Sequence, residues 1–487
     1  MPEQGSPPMP VRDAEQGLTD PTDTARAEAA QADGQTVAAT RERPPSLWRN
    51  WDYMCWWSGN AVSLLGSNMS NVAFPLLAVF GTGSVLNAGI IAAAGRIGGL
   101  LTLLWGGALA DRRSRKLILV VAPALQAAMM GVVTVSLLSG PVHVDLLAVM
   151  ALLSGLVTGV RSGAVLPALR RIVPREQFAA RAAQEQGLAM GAQLAGSPLA
   201  ALLFGVARWL PFGVDALSFF FASIGAALIR HPLGPDREPK GSTATAGDAE
   251  DPPKRRRVIA DIAEGFRIIL RHDFLRYTTG WVAVTNLVGN SFMLLLVALL
   301  ASRGATPQLI GVTNAGVLAG GILGAFLAGA ILRRMSALHV FQTGGWVYVA
   351  SLALAAVLPA PWQIGLATAA FTFASVPTVT VWESYTARLV PDQLIGRVGA
   401  ASSFCAQSLT WLGMLLAGWL GSQFGTTVAA LCFAGILLPF AVAGHLARSL
   451  TLLRTPLDQV NEVSVARTTE PATPGGRRHN RGEERAD

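Results

Sequence analysis

Gly106-Gly107-Ala108-Leu109-Ala110-Asp111-Arg112-Arg113-Ser114-Arg115-Lys116 stands between two apolar runs, at 85–109 and 117–139. Each run is long enough to cross the ~30 Å hydrocarbon core of a bilayer, which takes about 20 helical residues. The paired glycines allow two helices to approach closely at the end of the first run. Asp111 is placed for a helix N-terminus, where a carboxylate gains about 0.3–1 kcal/mol from the dipole and up to ~2 when partly buried. Arg112, Arg115 and Lys116 can bridge to acidic partners or to lipid. The stretch reads as a charged latch joining two membrane helices.

Working outward, ten more apolar runs follow the same rule. With those two they fall at 53–80, 85–109, 117–139, 145–168, 186–207, 210–229, 276–300, 309–332, 337–358, 362–385, 402–422 and 427–447. The composition agrees: 51% of the 487 residues are hydrophobic and only 14% are charged, where a soluble protein carries about a quarter charged residues. Glycine and proline inside the runs would weaken soluble helices but are common in membrane helices, whose neighbours satisfy the backbone. The strict alternation of a membrane β-barrel is absent. The sequence predicts an all-α membrane protein of twelve transmembrane helices.

Charge sets the expected orientation. With both termini cytoplasmic, the inner loops hold 22 Lys/Arg and the outer loops two, Arg208 and Arg303, a strong positive-inside signal. The +8 net charge is thereby explained without nucleic acid. Only three lysines occur; the arginine, alanine and glycine richness fits a GC-rich bacterial genome, and the plasma membrane is the expected location. Residues 1–46 and 448–487 are polar and read as disordered cytoplasmic tails, and the acidic N-terminus shows no secretory leader. Between them lie a six-helix bundle at 47–229, a linker at 230–275 and a second six-helix bundle at 276–447. The linker ends in an amphipathic helix, Val258–Arg271. Its cluster Lys254, Arg255, Arg256 and Arg257 either holds anionic lipid, at about 1 kcal/mol per charge, or only fixes topology.

The two bundles resemble each other. Arg171-Ile172-Val173-Pro174 recurs as Arg388-Leu389-Val390-Pro391, and Leu65-Gly66-Ser67-Asn68 aligns with Val288-Gly289-Asn290-Ser291. Gly107-Ala108-Leu109 aligns with Gly329-Ala330-Ile331, but Arg333 stands where Asp111 would recur, so one half alone carries the latch. Repeats that both start on the same side are parallel, related by an axis along the membrane normal.

The latch resembles the loop signature of the major facilitator superfamily, with Ser114 in place of a glycine. Further fragments are similar to the branch that holds macrolide-efflux and enterobactin-exporter proteins: Ser63-Leu64-Leu65-Gly66, Asp215-Ala216-Leu217-Ser218-Phe219 and Gly396-Arg397-Val398. The resemblance covers about 48–447. It implies the major facilitator fold and a secondary transporter that exports an amphipathic small molecule, such as a drug, macrolide or siderophore, by proton antiport. It further implies a gating role for Gly106, Gly107, Asp111, Arg112, Arg115 and Lys116; a loop that only fixes topology is the other reading. The antiporter motif of span five departs from the pattern, since Ser197 separates Gly196 from Pro198 and the glycine pair is missing.

Apart from Asp145 and Arg276, which open their spans, four charges lie inside the spans: Arg96, Arg161, Asp215 and Glu383. Each arginine costs about 2.5–3.5 kcal/mol at a helix centre, so each should face the bundle interior or a wet cavity. These four are the coupling candidates. Asp215 is alternatively a cap at the outer end of span six, and Glu383 an ion-pair partner of an arginine. Asn60, Ser63, Ser67 and Asn71 share one face of span one, as Thr279, Asn286 and Asn290 do in span seven. These seven are the substrate-cavity candidates, with spans one, four, seven and ten expected to line the cavity; a helix–helix hydrogen-bonding seam is the other reading. The series Gly155, Gly159, Gly163 and Gly316, Gly320, Gly324 point to tight packing.

Cys55, Cys405 and Cys432 suggest neither disulfide nor metal, no phosphate-cradling glycine loop is present, and no cofactor, metal or enzymatic constellation is expected. The expected partners are a small-molecule substrate and protons, with the protein monomeric. An importer or facilitator of a small organic solute and a non-transporting sensor or assembly factor are the other classes open to such a sequence.

Overall fold

The computed structural model describes residues 46–103, 114–233, 254–455 and 457–460, with side chains throughout these except at 103, 254–262, 448 and 458. Ahead of Trp51 the described residues hold one 3-10 turn, Leu47–Arg49. From Trp51 onward every element among the described residues is helical. The first six are α1 (Trp51–Thr82), α2 (Val85–Leu103), α3 (Arg115–Ser139), α4 (Val144–Ile172), α5 (Phe178–Val206) and α6 (Leu210–Ala227). The linker helix is α7 (Lys254–Arg271). The second set is α8 (Asp273–Ser302), α9 (Pro307–Arg334), α10 (Ala337–Val357), α11 (Pro361–Leu389), α12 (Asp392–Ser408), α13 (Thr410–Gln423) and α14 (Gly425–Leu446).

Among the described residues twelve stretches are long and apolar enough to cross a membrane, α12 and α13 together forming one of them. The shortest, α6, has 18 residues, about 27 Å at 1.5 Å per residue. Large apolar side chains are exposed on outer faces, among them Leu217, Phe220 and Phe221 on α6 and Phe326 on α9. Water would penalise such a surface, whereas lipid accepts it. Pro75, Pro123, Pro167, Pro198, Pro377 and Pro439 sit inside helices, tolerated because neighbours can satisfy the freed carbonyls.

Helix pairing repeats between the halves. In the first, α2 packs on α4, α1 on α6 and α3 on α6; in the second, α9 packs on α11, α8 on α14 and α10 on α14. Glycine sets the α2–α4 and α9–α11 distances. A Cβ on Gly98 would overlap the carbonyl of Leu152, and one on Gly155 that of Gly95. In the second half, Gly320 and Gly324 lie just as close to the carbonyls of Ala369 and Phe373. A Cβ on Gly159 would meet Thr102 in the same seam, while one on Gly316 would meet nothing within 4 Å, so close approach does not require glycine there. The turn after each half's first helix carries a left-handed glycine, Gly83 (φ 67°) and Gly304 (φ 78°), a conformation that a Cβ disfavours.

Two segments that the sequence places outside the bundles pack onto the second half. Helix α7 lies against α12, where Gly265 meets the carbonyl of Arg397, Glu264 pairs with Arg397 and Phe266 packs edge-on to Phe404. The chain after α14, read from sequence as a tail from 448, forms 3-10 turns at Arg448–Arg454 and Leu457–Gln459. Leu450, Leu453 and Val460 are buried there, and Tyr385 on α11 donates its hydroxyl to the carbonyl of Thr455 over 2.8 Å. The apolar run Leu450–Leu453 is too short to show helical periodicity, so only its docking reveals it.

Candidate substrate cavity

The halves touch at one end of the bundle. There α2 packs on α13, and a Cβ on Gly89 would lie 2.7 Å from the carbonyl oxygen of Met414. Beside it α5 packs on α9, where Gly311 accommodates Ala201 and Asn314 donates to the hydroxyl of Ser197 over 3.0 Å. These are equivalent pairs, the second helix of one repeat meeting the fifth span of the other. The loops rich in arginine, after α4, α9 and α11, lie at the opposite end.

Behind this closed end is a cavity of about 650 Å³, lined from both halves by α1, α2, α4 and α5 and by α8, α9, α12 and α13. Its polar residues include Asn68, Asn71, Arg96, Ser154, Thr158, Ser162, Gln193, Ser197, Asn290, Asn314, Gln407 and Thr410. Its apolar residues include Phe74, Leu100, Met293, Leu294, Leu318 and Met414. The wall thus offers an organic ligand both hydrogen-bonding groups and apolar surface, the two elements that small-molecule pockets combine. Gln407 and Thr410 flank the break between α12 and α13, where Thr410 turns its hydroxyl to the carbonyl of Gln407 (2.7 Å). Broken helix at membrane depth is stable only where a cavity or protein surrounds it.

Each membrane arginine meets an asparagine. Arg96 on α2 donates to Oδ1 of Asn290 on α8 across 3.1 Å, joining the halves. Arg161 on α4 donates to Oδ1 of Asn60 on α1 across 3.0 Å, within the first half, and its Nε is buried with no partner among the described residues. Asn290 is held in turn by its amide, which donates to the carbonyl of Asn286 at 2.9 Å.

The carboxylates lie elsewhere. Asp215 sits one turn inside α6 rather than at its cap, 1% exposed, and accepts the Ser218 hydroxyl at 3.0 Å. Gly66 on α1 covers this pair; a Cβ there would lie 2.6 Å from Oδ1 of Asp215. Glu383 is exposed near the end of α11, and among the described residues it pairs with no arginine. No residue of α11 lines the cavity, because α9 packs on both α11 and α5.

The polar stripes divide similarly. Asn71 and Asn290 line the cavity, whereas Ser63 and Thr279 are buried, Ser67 is half-buried and Asn286 bonds its own helix at the carbonyl of Val282 (2.9 Å). Sequence reasoning missed Asn68, Gln193, Ser197, Asn314 and Gln407. Gln193 and Gln407 stand as isolated amides in spans five and eleven, a signal visible in the sequence.

Of the gating residues, Gly106, Gly107, Asp111 and Arg112 lie outside the described residues. Lys116 donates to the carbonyl of Ile229 at 2.6 Å, and the Arg115 amide to that of Leu233 at 3.1 Å. Both tie the start of α3 to the chain leaving α6. Asp52 holds the same strand by accepting the amides of Arg230 and His231 at 2.8 and 3.1 Å.

A family model described as Major Facilitator Superfamily matches residues 56–411. The chain belongs to the major facilitator superfamily. It is 26% identical over 404 residues to the multidrug efflux pump Tap of Mycolicibacterium fortuitum, covering 80% of this chain and 93% of that protein. With macrolide efflux protein A of Streptococcus pyogenes the identity is 24% over 385 residues, covering 76% and 89%. Among solved structures, a bacterial homologue of the human lysosomal transporter Spinster, in an inward-facing and unoccupied conformation, superposes with a TM-score of 0.62 at 14% identity, covering 85% of this chain and 99% of that one. The nucleoside transporter NupG superposes with a TM-score of 0.58 at 13% identity, covering 80% and 98%. As a member of this superfamily the chain is a multi-pass membrane transporter, not an enzyme.

Proposed function

We propose that this transporter exports an amphipathic small molecule from the bacterial cytoplasm by alternating access, driven by proton antiport, with both termini cytoplasmic. The observation that carries the reading is a cavity shared by both halves and sealed at one end by two equivalent helix pairs, α2–α13 and α5–α9. The arginine-rich loops mark the other end as cytoplasmic under the positive-inside rule. The structure is then inward-facing, with cargo entering from the cytoplasm or the inner leaflet. The names of the relatives, a multidrug efflux pump and a macrolide efflux protein, favour export and a drug-like cargo.

Transport in this scheme parts the α2–α13 and α5–α9 seams and closes the basic end. The loop with Gly106, Gly107, Asp111 and Arg112 is the proposed latch there, anchored by the hold of Arg115 and Lys116 on the α6 exit. Asn60, Ser63, Ser67, Asn71, Thr279, Asn286 and Asn290 remain the proposed polar faces of the two leading helices. Asp215 and Glu383 are the proton-carrying candidates, and Arg161 and Arg96 are the other two coupling candidates. Because neither carboxylate lines the cavity, coupling runs through helix packing. Asp215 bears on α1 through Gly66, and the same helix presents Asn68 and Asn71 to the cavity. Lys254, Arg255, Arg256 and Arg257 are the proposed contact for anionic lipid, and a monomer is sufficient for this cycle.

The test is accumulation of a broad panel of drugs and siderophores in bacteria with and without the protein. Lower accumulation of at least one cargo, abolished by a protonophore, is the expected result. Identical accumulation across the panel at normal expression overturns the export reading.

A further inference from the structure

Resting on the export reading, we propose that the cargo is an anionic amphiphile, an apolar body bearing one carboxylate or phosphate that pairs with Arg96. Arg96 is the one ionised side chain among the described residues that line the cavity, and a guanidinium cannot shed its charge in a protein. Among the described residues its single hydrogen bond is to the neutral oxygen of Asn290, so most of its five donors remain free. The side chain is exposed to the cavity.

Among the described residues no carboxylate is positioned to neutralise it. Asp215 is enclosed between α6 and α1, and Glu383 belongs to a helix that contributes nothing to the lining. A cation in so confined and partly apolar a space would be repelled by an uncompensated positive charge, whereas an oxyanion would gain a charge-assisted and potentially bidentate contact. Asn290 keeps the guanidinium extended from α2 toward α8, so that its free edge is presented between the halves. Phe74, Met293, Leu294 and Leu318 supply the apolar wall for the rest of the molecule.

The experiment uses the full-length protein in phosphatidylcholine nanodiscs. Binding of N-dodecanoylglycine is compared with that of its methyl ester, and dodecyl phosphate with the cation dodecyltrimethylammonium. The acid should bind about tenfold or more tightly than its ester, the gain expected for a hydrogen bond to a charged group. Arg96→Gln should bring the acid-to-ester ratio within about twofold, and Arg96→Lys should keep a preference for the acid. Thermal unfolding of both variants checks that they are folded.

Equal binding of acid and ester, tighter binding of the cation, a preference that survives Arg96→Gln, or failure of every probe to bind overturns the inference. Loss of the acid preference when phosphatidylglycerol replaces part of the phosphatidylcholine assigns the oxyanion to a lipid headgroup and overturns the cargo assignment. The export reading stands or falls separately, on accumulation in cells.

Discussion

Arg96 and Asn290 are 194 residues apart in sequence, yet the guanidinium of one donates to the side-chain oxygen of the other across 3.1 Å. The bond crosses the cavity and links the two halves. Asn290→Ala removes it without adding bulk. A hydrogen bond to a charged group contributes about 1.5–3 kcal/mol, and 1.4 kcal/mol is a factor of ten in an equilibrium. We expect a cysteine placed at Val85, in a background where Cys55, Cys405 and Cys432 are replaced by serine, to react about tenfold faster with a water-soluble maleimide when Asn290 is alanine. An unchanged rate would show that the bond does not hold the seam.

A second route to the same opening is a wedge. Gly311 lies where a Cβ would overlap that of Ala201 and come within 2.9 Å of the Ser197 carbonyl. Gly311→Leu should pry α9 from α5 while leaving the packing within each half intact. The expected outcome is normal expression, faster labelling at the closed end and loss of transport. Wild-type labelling would mean that the seam yields without opening.

Glycine positions within the halves predict stability rather than gating. Gly98→Ala drives a methyl into the Leu152 carbonyl, and Gly324→Ala drives one into that of Phe373. Backbone cannot swing aside as a side chain can, and overpacking costs typically about 1–3 kcal/mol. Gly131→Ala, with nothing within 4 Å, is the control and should be neutral or slightly stabilising. Thermal unfolding monitored by size-exclusion chromatography separates these outcomes; equal midpoints for all three would refute the packing argument.

Asp215→Asn preserves shape and an acceptor for Ser218 while removing the proton-binding group. Stability should stay within about 1 kcal/mol of wild type, since one neutral hydrogen bond is retained. Export driven by an imposed pH gradient in proteoliposomes should fall about tenfold or more. Glu383→Gln is expected to abolish proton-driven transport while leaving folding intact. A variant that transports normally removes its residue from the coupling mechanism.

The segment after α14 should behave as part of the fold. Truncation after Ala447 removes Leu450, Leu453 and Val460, each nearly fully buried. Burying one such side chain contributes about 1.5–3 kcal/mol, so the truncated protein should unfold at a clearly lower temperature. Truncation after Val460 should leave the midpoint unchanged. Equal midpoints for the two truncations would show that the docked turns contribute nothing.

Much of this architecture is legible in the residues themselves. The bilayer demands about 20 apolar residues per helix, so twelve such runs, with arginine concentrated in alternate loops, determine the number of spans and their expected orientation. The glycine series foretell the tight α2–α4 and α9–α11 seams because close backbone approach requires a missing Cβ. Matching fragments such as Arg171–Pro174 and Arg388–Pro391 reveal the repeat. The sequence also names the rare charges within the spans, since each is conspicuous against an apolar background.

What each charge faces was decided only by the tertiary structure. Helical spacing places Asn286 and Asn290 on one face, but it does not say how far α8 is rotated, and of the two only Asn290 lines the cavity. The same freedom put asparagines, not carboxylates, opposite Arg96 and Arg161. It buried Asp215 under Gly66 and left Glu383 on a helix outside the lining. Rotation and axial register between helices follow from many small packing contacts summed over the whole bundle, and no local pattern of 3.6 residues per turn encodes them.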